Sequence, residues 1–384
     1  MTLTNNEGVT IQPDGERIVI EGPGTRAAIR AAEFDNGANG VLTVETPGTT
    51  RRYRGRLLID VLPEGGRLRL VNYVAMPDYL TSVVASEYPF DDIEGTKSQA
   101  VIARTYVIRA RQSSDEPYDV TDNTASQAYL GFTRETDPAR EAVRTTRGEI
   151  LTYDDRAIEA VYSSSGGGHT ADNEDVWDTS PVPYLRGKPD PYDESSPHQE
   201  WHFAISKPML HTMLSEEYGF QVQRLRFEDR TDSGRYHTVR LEGEDEQTIT
   251  VNTLRFIISR KFGARSLKST LFRVRETSEQ YVFEGQGFGH GVGLSQWGAH
   301  ARAEDGQSYE DILQFYYTSV ALETLDGEQI AAAEPARPTD QPAVDRRDSP
   351  GPSAAETASR HGGWGSPRAL SLDEVETRPV RPGW

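Results

Sequence analysis

The chain has 384 residues, a net charge of −19, 35% hydrophobic residues and a mean hydropathy of −0.64. That length allows one large or two modest domains, and the acidity argues against nucleic acid as a partner, because phosphate recognition needs a concentrated basic surface. The absence of cysteine excludes disulfides, thiolate nucleophiles and Cys-based zinc sites, and no apolar run approaches the roughly 20 residues that span a bilayer. Only five of the 41 basic residues are lysines, and such a surface suits concentrated salt, where self-repulsion is screened.

Residues 1 to 50 hold short β-type runs, Arg17 to Glu21 and Val41 to Glu45, between Gly, Pro and Asn turns. Further strands follow up to Tyr73, with a Glu-Gly-Gly turn between them. The stretch Val71 to Arg111 then reads as two helices. In the first, Met76, Leu80, Val83 and Val84 recur at helical spacing, and Pro89 prevents continuation. Glu87 falls on that same apolar face at the C-terminal end. Both the helix dipole and the loss of water are expected to raise its pKa, making it a candidate general acid. Its bland alternative is a buried structural glutamate paired with Arg104. Thr96 and Gln99 read as a capping box that opens the second helix. Lys97 and Arg104, seven apart, share a face that either holds an anionic substrate and orients the acid or is an ordinary solvated basic face.

A helix from Asp137 to Thr146 comes next, with Pro138 at its first helical position. In residues 157 to 193 a strand runs into Ser163, Ser164 and Ser165, followed by three glycines and His169. Glycine at that density lets backbone approach a ligand or simply makes a turn. Neither a phosphate loop nor a Gly-x-Ser-x-Gly elbow is present, so a serine triad is not expected. Residues 200 to 283 read as a helix near Pro208 to Glu217 with strands around Gln223, Thr238 and Leu271. His198 and His202, four apart, read as a surface pair rather than metal ligands. From 285 to 293 every second residue is glycine, which predicts close backbone approach or repeated positive φ. Helices are expected from Gln296 to Ala303 and from Tyr309 to Tyr317, and the tail from about Ile330 has a disordered composition.

Three segments together carry a resemblance. YLTSVVASEYP with KSQAVIARTYVIR, SSSGGGHTADNEDVW with PYLRGKPDPYD, and GFGHGVGLSQWGA with ILQFYYTSV resemble the SpoIID/LytB domain family, in the family's order, over roughly residues 52 to 322. The resemblance implies a peptidoglycan lytic transglycosylase whose catalytic acid is Glu87. A lone acid suffices for that reaction, because the C6 hydroxyl of N-acetylmuramic acid attacks its own anomeric carbon and leaves a 1,6-anhydro end, whereas an ordinary glycosidase uses two carboxylates. It also implies a preference for strands stripped of stem peptides.

The expected fold class is α+β, with mixed sheets, a short helical pair carrying the catalytic glutamate, and a disordered C-terminal tail. The expected division is a β-rich extension over 1–51, a catalytic domain over 52–325 and a tail over 326–384. Substrate contacts are assigned to Lys97, Arg104, Ser165, His169, His290 and Gln296, with Trp177, Trp201 and Trp297 as residues that stack on sugars or sit in the interior. No cofactor or metal is expected. Glycan strands are the expected partner and the location is extracytoplasmic, although no signal or anchor is visible. The alternative implied by the family is a non-enzymatic enhancer that binds and stimulates a cell-wall amidase.

Overall fold

The computed structural model describes residues 8–37, 40–113, 116–123 and 126–325. The expected C-terminal tail lies outside them. Among the described residues the fold is α+β: eight α-helices accompany small sheets, nearly all antiparallel. The helices are α1 (Met76–Glu87), α2 (Ile93–Ser113), α3 (Asp137–Thr145), α4 (Glu174–Trp177), α5 (Lys207–Tyr218), α6 (Val251–Phe262), α7 (Gln296–Glu304) and α8 (Tyr309–Tyr316). Two compact units are formed, and the division falls inside α1, between Ser86 and Glu87.

The first unit runs to Ser86 and includes the segment from 116 to 136. Strands Ala31–Asp35, Arg56–Val61 and Leu68–Tyr73 make one antiparallel sheet, the hairpin Val41–Thr46 with Thr49–Arg54 another, and Thr10–Asp14, Arg17–Gly22 and Thr25–Ile29 a third. Leu80, Val83 and Val84 form the fully buried face of α1, as their spacing predicts. Polar residues of the same helix hold Gln127 and Gly131: Tyr79 Oη donates to Gln127 Oε1 at 3.1 Å and Ser82 Oγ to the Gly131 carbonyl at 2.9 Å.

The second unit, from Glu87 to Ser113 and from Asp137 onward, has two hydrophobic cores. Around α2, Val101 and Ile102 meet Leu151, Ile158, Val292, Leu294, Ile312 and Leu313. Here Glu149–Tyr153 pairs with Arg156–Ala157 and with Ala321–Thr324, and the short strand Tyr162–Ser163 lies parallel to Leu294–Ser295. The other core is enclosed by the sheets Trp201–Ser206/Gln280–Gly285/Phe272–Glu276 and Val222–Arg230/Tyr236–Gly243/Glu246–Thr250, together with α5 and α6. Helix α6 was not expected from the sequence. Thr250 caps it by accepting from Thr253 N, and Leu254, Ile257 and Ile258 supply the buried stripe.

The start of one helix differs. Helix α2 begins at Ile93, not at Thr96, because Asp92 caps it: its Oδ1 accepts from Gly95 N at 2.7 Å. The Thr96 hydroxyl donates to the Asp92 carbonyl instead, leaving Thr96 and Gln99 inside the helix and buried. In the glycine-alternating stretch, Gly287, Gly289, Gly291 and Gly293 all have positive φ. At Gly293 a Cβ would also lie 2.1 Å from the Val161 carbonyl oxygen, so both readings of the alternation hold at that residue.

Candidate active site

Glu87 is the last residue of α1 and is 8% exposed. Its main-chain carbonyl accepts from Gln296 Nε2 at 2.8 Å, and the same nitrogen lies 3.4 Å from Gln99 Oε1. Gln296 opens α7, Gln99 sits in α2, and both are buried. The structure therefore brings Glu87 and Gln296 together, but Gln296 holds the backbone of the acid rather than offering its amide freely to a sugar. The sequence offered Gln99 as a capping-box partner of Thr96; the structure instead places it inside α2, beside the Gln296 amide.

A second junction lies beside the first. Ser295 caps α7, accepting from Gly298 N, while its hydroxyl donates to Asp193 Oδ1 at 2.6 Å. The other carboxylate oxygen of Asp193 accepts from Ser165 Oγ at 2.8 Å and from the amides of Gly167 and Gly168. Burial raises the Asp193 carboxyl, while hydrogen bonds from Ser295, Ser165 and Gly168 pull it down. Ser165 is 0% exposed and its hydroxyl is committed to that carboxylate. Nearby Asp190, also fully buried, accepts from Arg302 at 2.9 Å and from the Tyr316 hydroxyl at 2.6 Å. Trp297 N donates to the Ser164 carbonyl. Neither aspartate was singled out from the sequence; their signal was two acids in the PDPYD run.

His169 donates through Nδ1 to the Thr170 carbonyl at 2.6 Å, and its own carbonyl accepts from Arg235 at 2.9 Å. Arg235, buried and lowered to about 10 chiefly by burial, thereby braces the serine-glycine loop. His290 is partly exposed; its Nδ1 accepts from Val292 N at 3.1 Å and its ring faces Trp177 at 5.1 Å. Burial, with Arg255 and Arg235 nearby, lowers His290 to about 3, so the ring is neutral at physiological pH.

Lys97 and Arg104 of α2 are placed differently from a solvated basic face. Lys97 pairs with Glu94 at 2.7 Å, and Glu94 also accepts from Tyr309 N. Arg104 is 4% exposed and lowered to about 10 by burial; it donates to the Glu149 carbonyl at 2.9 Å, with the Val143 carbonyl and Thr146 hydroxyl at 3.5 Å. Its face packs against α3 and the strand that follows, so Arg104 braces main chain.

Past Glu87 the chain forms a polar and aromatic cluster that the sequence did not reveal. Asp92 Oδ2 lies 2.7 Å from His300 Nδ1 and accepts from the Tyr88 hydroxyl at 3.1 Å. Phe90 stacks on His300 at 4.2 Å and meets Trp297 edge-on at 4.8 Å. Trp297 is partly exposed, whereas Trp201 belongs to the interior. His198 is buried at 4% exposure, so it and exposed His202 are not a surface pair; strand Trp201–Ser206 carries the second outward while loop packing covers the first. Among the described residues no group of three or more His, Asp or Glu is arranged to hold a metal ion.

The fold and site define an α+β protein in which the start of α7 holds the main chain of buried Glu87 on one side and meets the loop residues Ser164 and Asp193 on the other. Residues 64–153 match the family described as stage II sporulation protein, SpoIID, and residues 192–293 match a domain of unknown function, DUF8618. Stage II sporulation protein D of Bacillus subtilis (strain 168) is 30% identical over 276 residues, covering 67% of this chain and 76% of that protein. An uncharacterized protein of Brachyspira hyodysenteriae is 31% identical, covering 70% and 72%. The amidase enhancer of B. subtilis is 31% identical over 295 residues, covering 63% of this chain but 40% of that protein's length. The chain belongs to the SpoIID/LytB family.

Proposed function

We propose that this protein is an extracytoplasmic peptidoglycan lytic transglycosylase with Glu87 as its acid. The observation that carries the proposal is the position of Glu87: a buried carboxylate-bearing residue at a helix end, its main chain held by Gln296 from the third family segment. In the reaction Glu87 protonates the glycosidic oxygen between N-acetylmuramic acid and N-acetylglucosamine as that bond breaks. The resulting carboxylate then accepts the C6 hydroxyl proton as that oxygen bonds to C1. No water is consumed, and the strand ends in 1,6-anhydro-muramic acid. In this reading the partly exposed faces of His290 and Trp297 contact sugar.

Purified protein incubated with glycan strands, with and without stem peptides, tests this by mass spectrometry of the ends. Anhydro ends support it; reducing ends mean hydrolysis instead. The similarity to an amidase enhancer favours one second reading, a module that binds and stimulates a cell-wall amidase. No cleavage of strands, with stimulation of an added amidase, selects that reading. Fractionation of the native protein with the cytoplasm would count against both.

A further inference from the structure

From Gln247 to Arg275 the chain runs 29 residues without an acid, and seven of them are Lys or Arg. With 60 acidic residues among 384, no other stretch of that length lacks one. A chain of net charge −19 thus leaves negative charge out of one region.

The exposed part of this region is the C-terminal end of α6 and the loop after it. Six consecutive residues from Arg260 to Arg265, reading Arg-Lys-Phe-Gly-Ala-Arg, are exposed. Gly263 closes the helix at φ 83°, its N–H donating to the Ser259 carbonyl, and a Cβ on it would meet nothing within 4 Å. The turn is therefore open to solvent at that residue. Phe262 is 40% exposed, its ring edge-on to Phe203 at 5.8 Å, and Phe256 is 50% exposed. Phe256 stands four before Arg260, so the two share one helix face.

Acids reach this end from α5. Glu217 pairs with Arg260 at 2.8 Å, and Glu216 and Glu217 border a cleft with Ile257, Arg260 and Lys261. Among the described residues no carboxylate pairs with Lys261, whereas Lys207 has Glu276 at 2.6 Å. Arg260, Lys261, Arg265 and Lys268 outnumber the two glutamates, so positive charge prevails here.

We propose that the end of α6 docks on an anionic phospholipid bilayer, with Lys261 and Arg265 among the headgroups and Phe256 and Phe262 at the acyl boundary. Cations alone suit any phosphate polymer. Exposed phenylalanines between them fit a surface that carries an apolar layer beneath its charge. A stable protein interface takes about 20–30 residues on each side, and this end offers a helical turn and a short loop. The acidic remainder of the chain is repelled by an anionic surface, so the same contact decides which side faces the bilayer. The proposal stands apart from the glycan chemistry above.

The full chain is sedimented with vesicles of phosphatidylcholine alone and with vesicles of phosphatidylcholine and phosphatidylglycerol in equal parts, at low and at molar salt. Binding is expected on the anionic vesicles and not on the neutral ones, and molar salt should abolish it. Lys261→Gln should weaken binding about fivefold, the effect of one basic residue near an anionic surface. Phe256→Ser should weaken it about fivefold as well, through the exposed half of the ring. Both side chains are exposed and lie outside the Glu87 site, so folding and glycan cleavage should be unchanged in both variants. Equal binding to the two kinds of vesicle, or wild-type binding by both variants, overturns the proposal. Polyphosphate binding as tight as vesicle binding, with Phe256→Ser at wild-type affinity, would make this a site for soluble phosphate polymers and overturns the bilayer. Absence of vesicle binding together with a dimer that Lys261→Gln dissociates would give the surface to a second copy of this chain and overturns it too. Vesicle binding without any glycan cleavage would remove the transglycosylase reading and keep the docking surface.

Discussion

The side-chain amide of Gln296 donates to the main-chain carbonyl of Glu87 at 2.8 Å, joining residues 209 apart in sequence. One helical turn further along α7, His300 holds Asp92 at 2.7 Å and stacks on Phe90. Residues four apart share a helix face, so one face of α7 pins both ends of the turn that leaves Glu87 and caps α2. Glu87 is thus positioned by its backbone on two sides.

Glu87→Gln should leave the fold intact and remove glycan cleavage. Glutamine keeps the shape but cannot deliver a proton to the leaving oxygen, and general acid help is typically worth about 10²–10⁴ in rate. Folding is checked by circular dichroism and cleavage by the yield of anhydro ends. Wild-type rates in this variant would take Glu87 out of the mechanism.

Gln296→Ala should act on kcat more than on KM. It strips the Glu87 carbonyl of its partner, and an unsatisfied buried group costs about 1–3 kcal/mol, so a lower melting temperature is expected too. A pure rise in KM with kcat unchanged would instead make Gln296 a substrate contact.

Stability should fall as pH drops below neutrality. Burial lowers folded His198 to about 4 and His290 to about 3, while an unfolded histidine titrates near about 6.5. Above about 6.5 both are neutral in either state and their contribution is fully present. Below it the unfolded chain takes up protons first, so stability is lost progressively down through the folded values. Urea midpoints from pH 7.5 to 4.5 measure the slope, and a His198→Gln, His290→Gln double variant should show a shallower one. An unchanged slope would mean that other groups carry the dependence.

Added salt should stabilise the protein at neutral pH. The 60 acidic residues against 41 basic ones leave a net charge of −19, and about 1 M salt cuts the reach of their repulsion to roughly 3 Å. Melting temperature should therefore rise between low and molar salt. A flat or falling curve would show that local pairing, not net repulsion, governs this surface.

The sequence by itself determined what depends on neighbours along the chain. Spacing placed Leu80, Val83, Val84 and Glu87 on one buried face, Pro89 ended the helix, and alternating glycines announced the positive-φ run from Gly287 to Gly293. Steric limits and helical periodicity act over a few residues, so they are written locally. The tertiary structure alone decided which polar groups meet. Asp193 receives Ser165 from 28 residues away and Ser295 from 102, and His198 meets Lys268 across 70. It also turned Arg104 inward to brace main chain and made Asp92, not Thr96, the cap of α2. The reason is physical: a buried polar group must find a partner, and the fold can supply it from any point along the chain, so no spacing in the sequence records the pair.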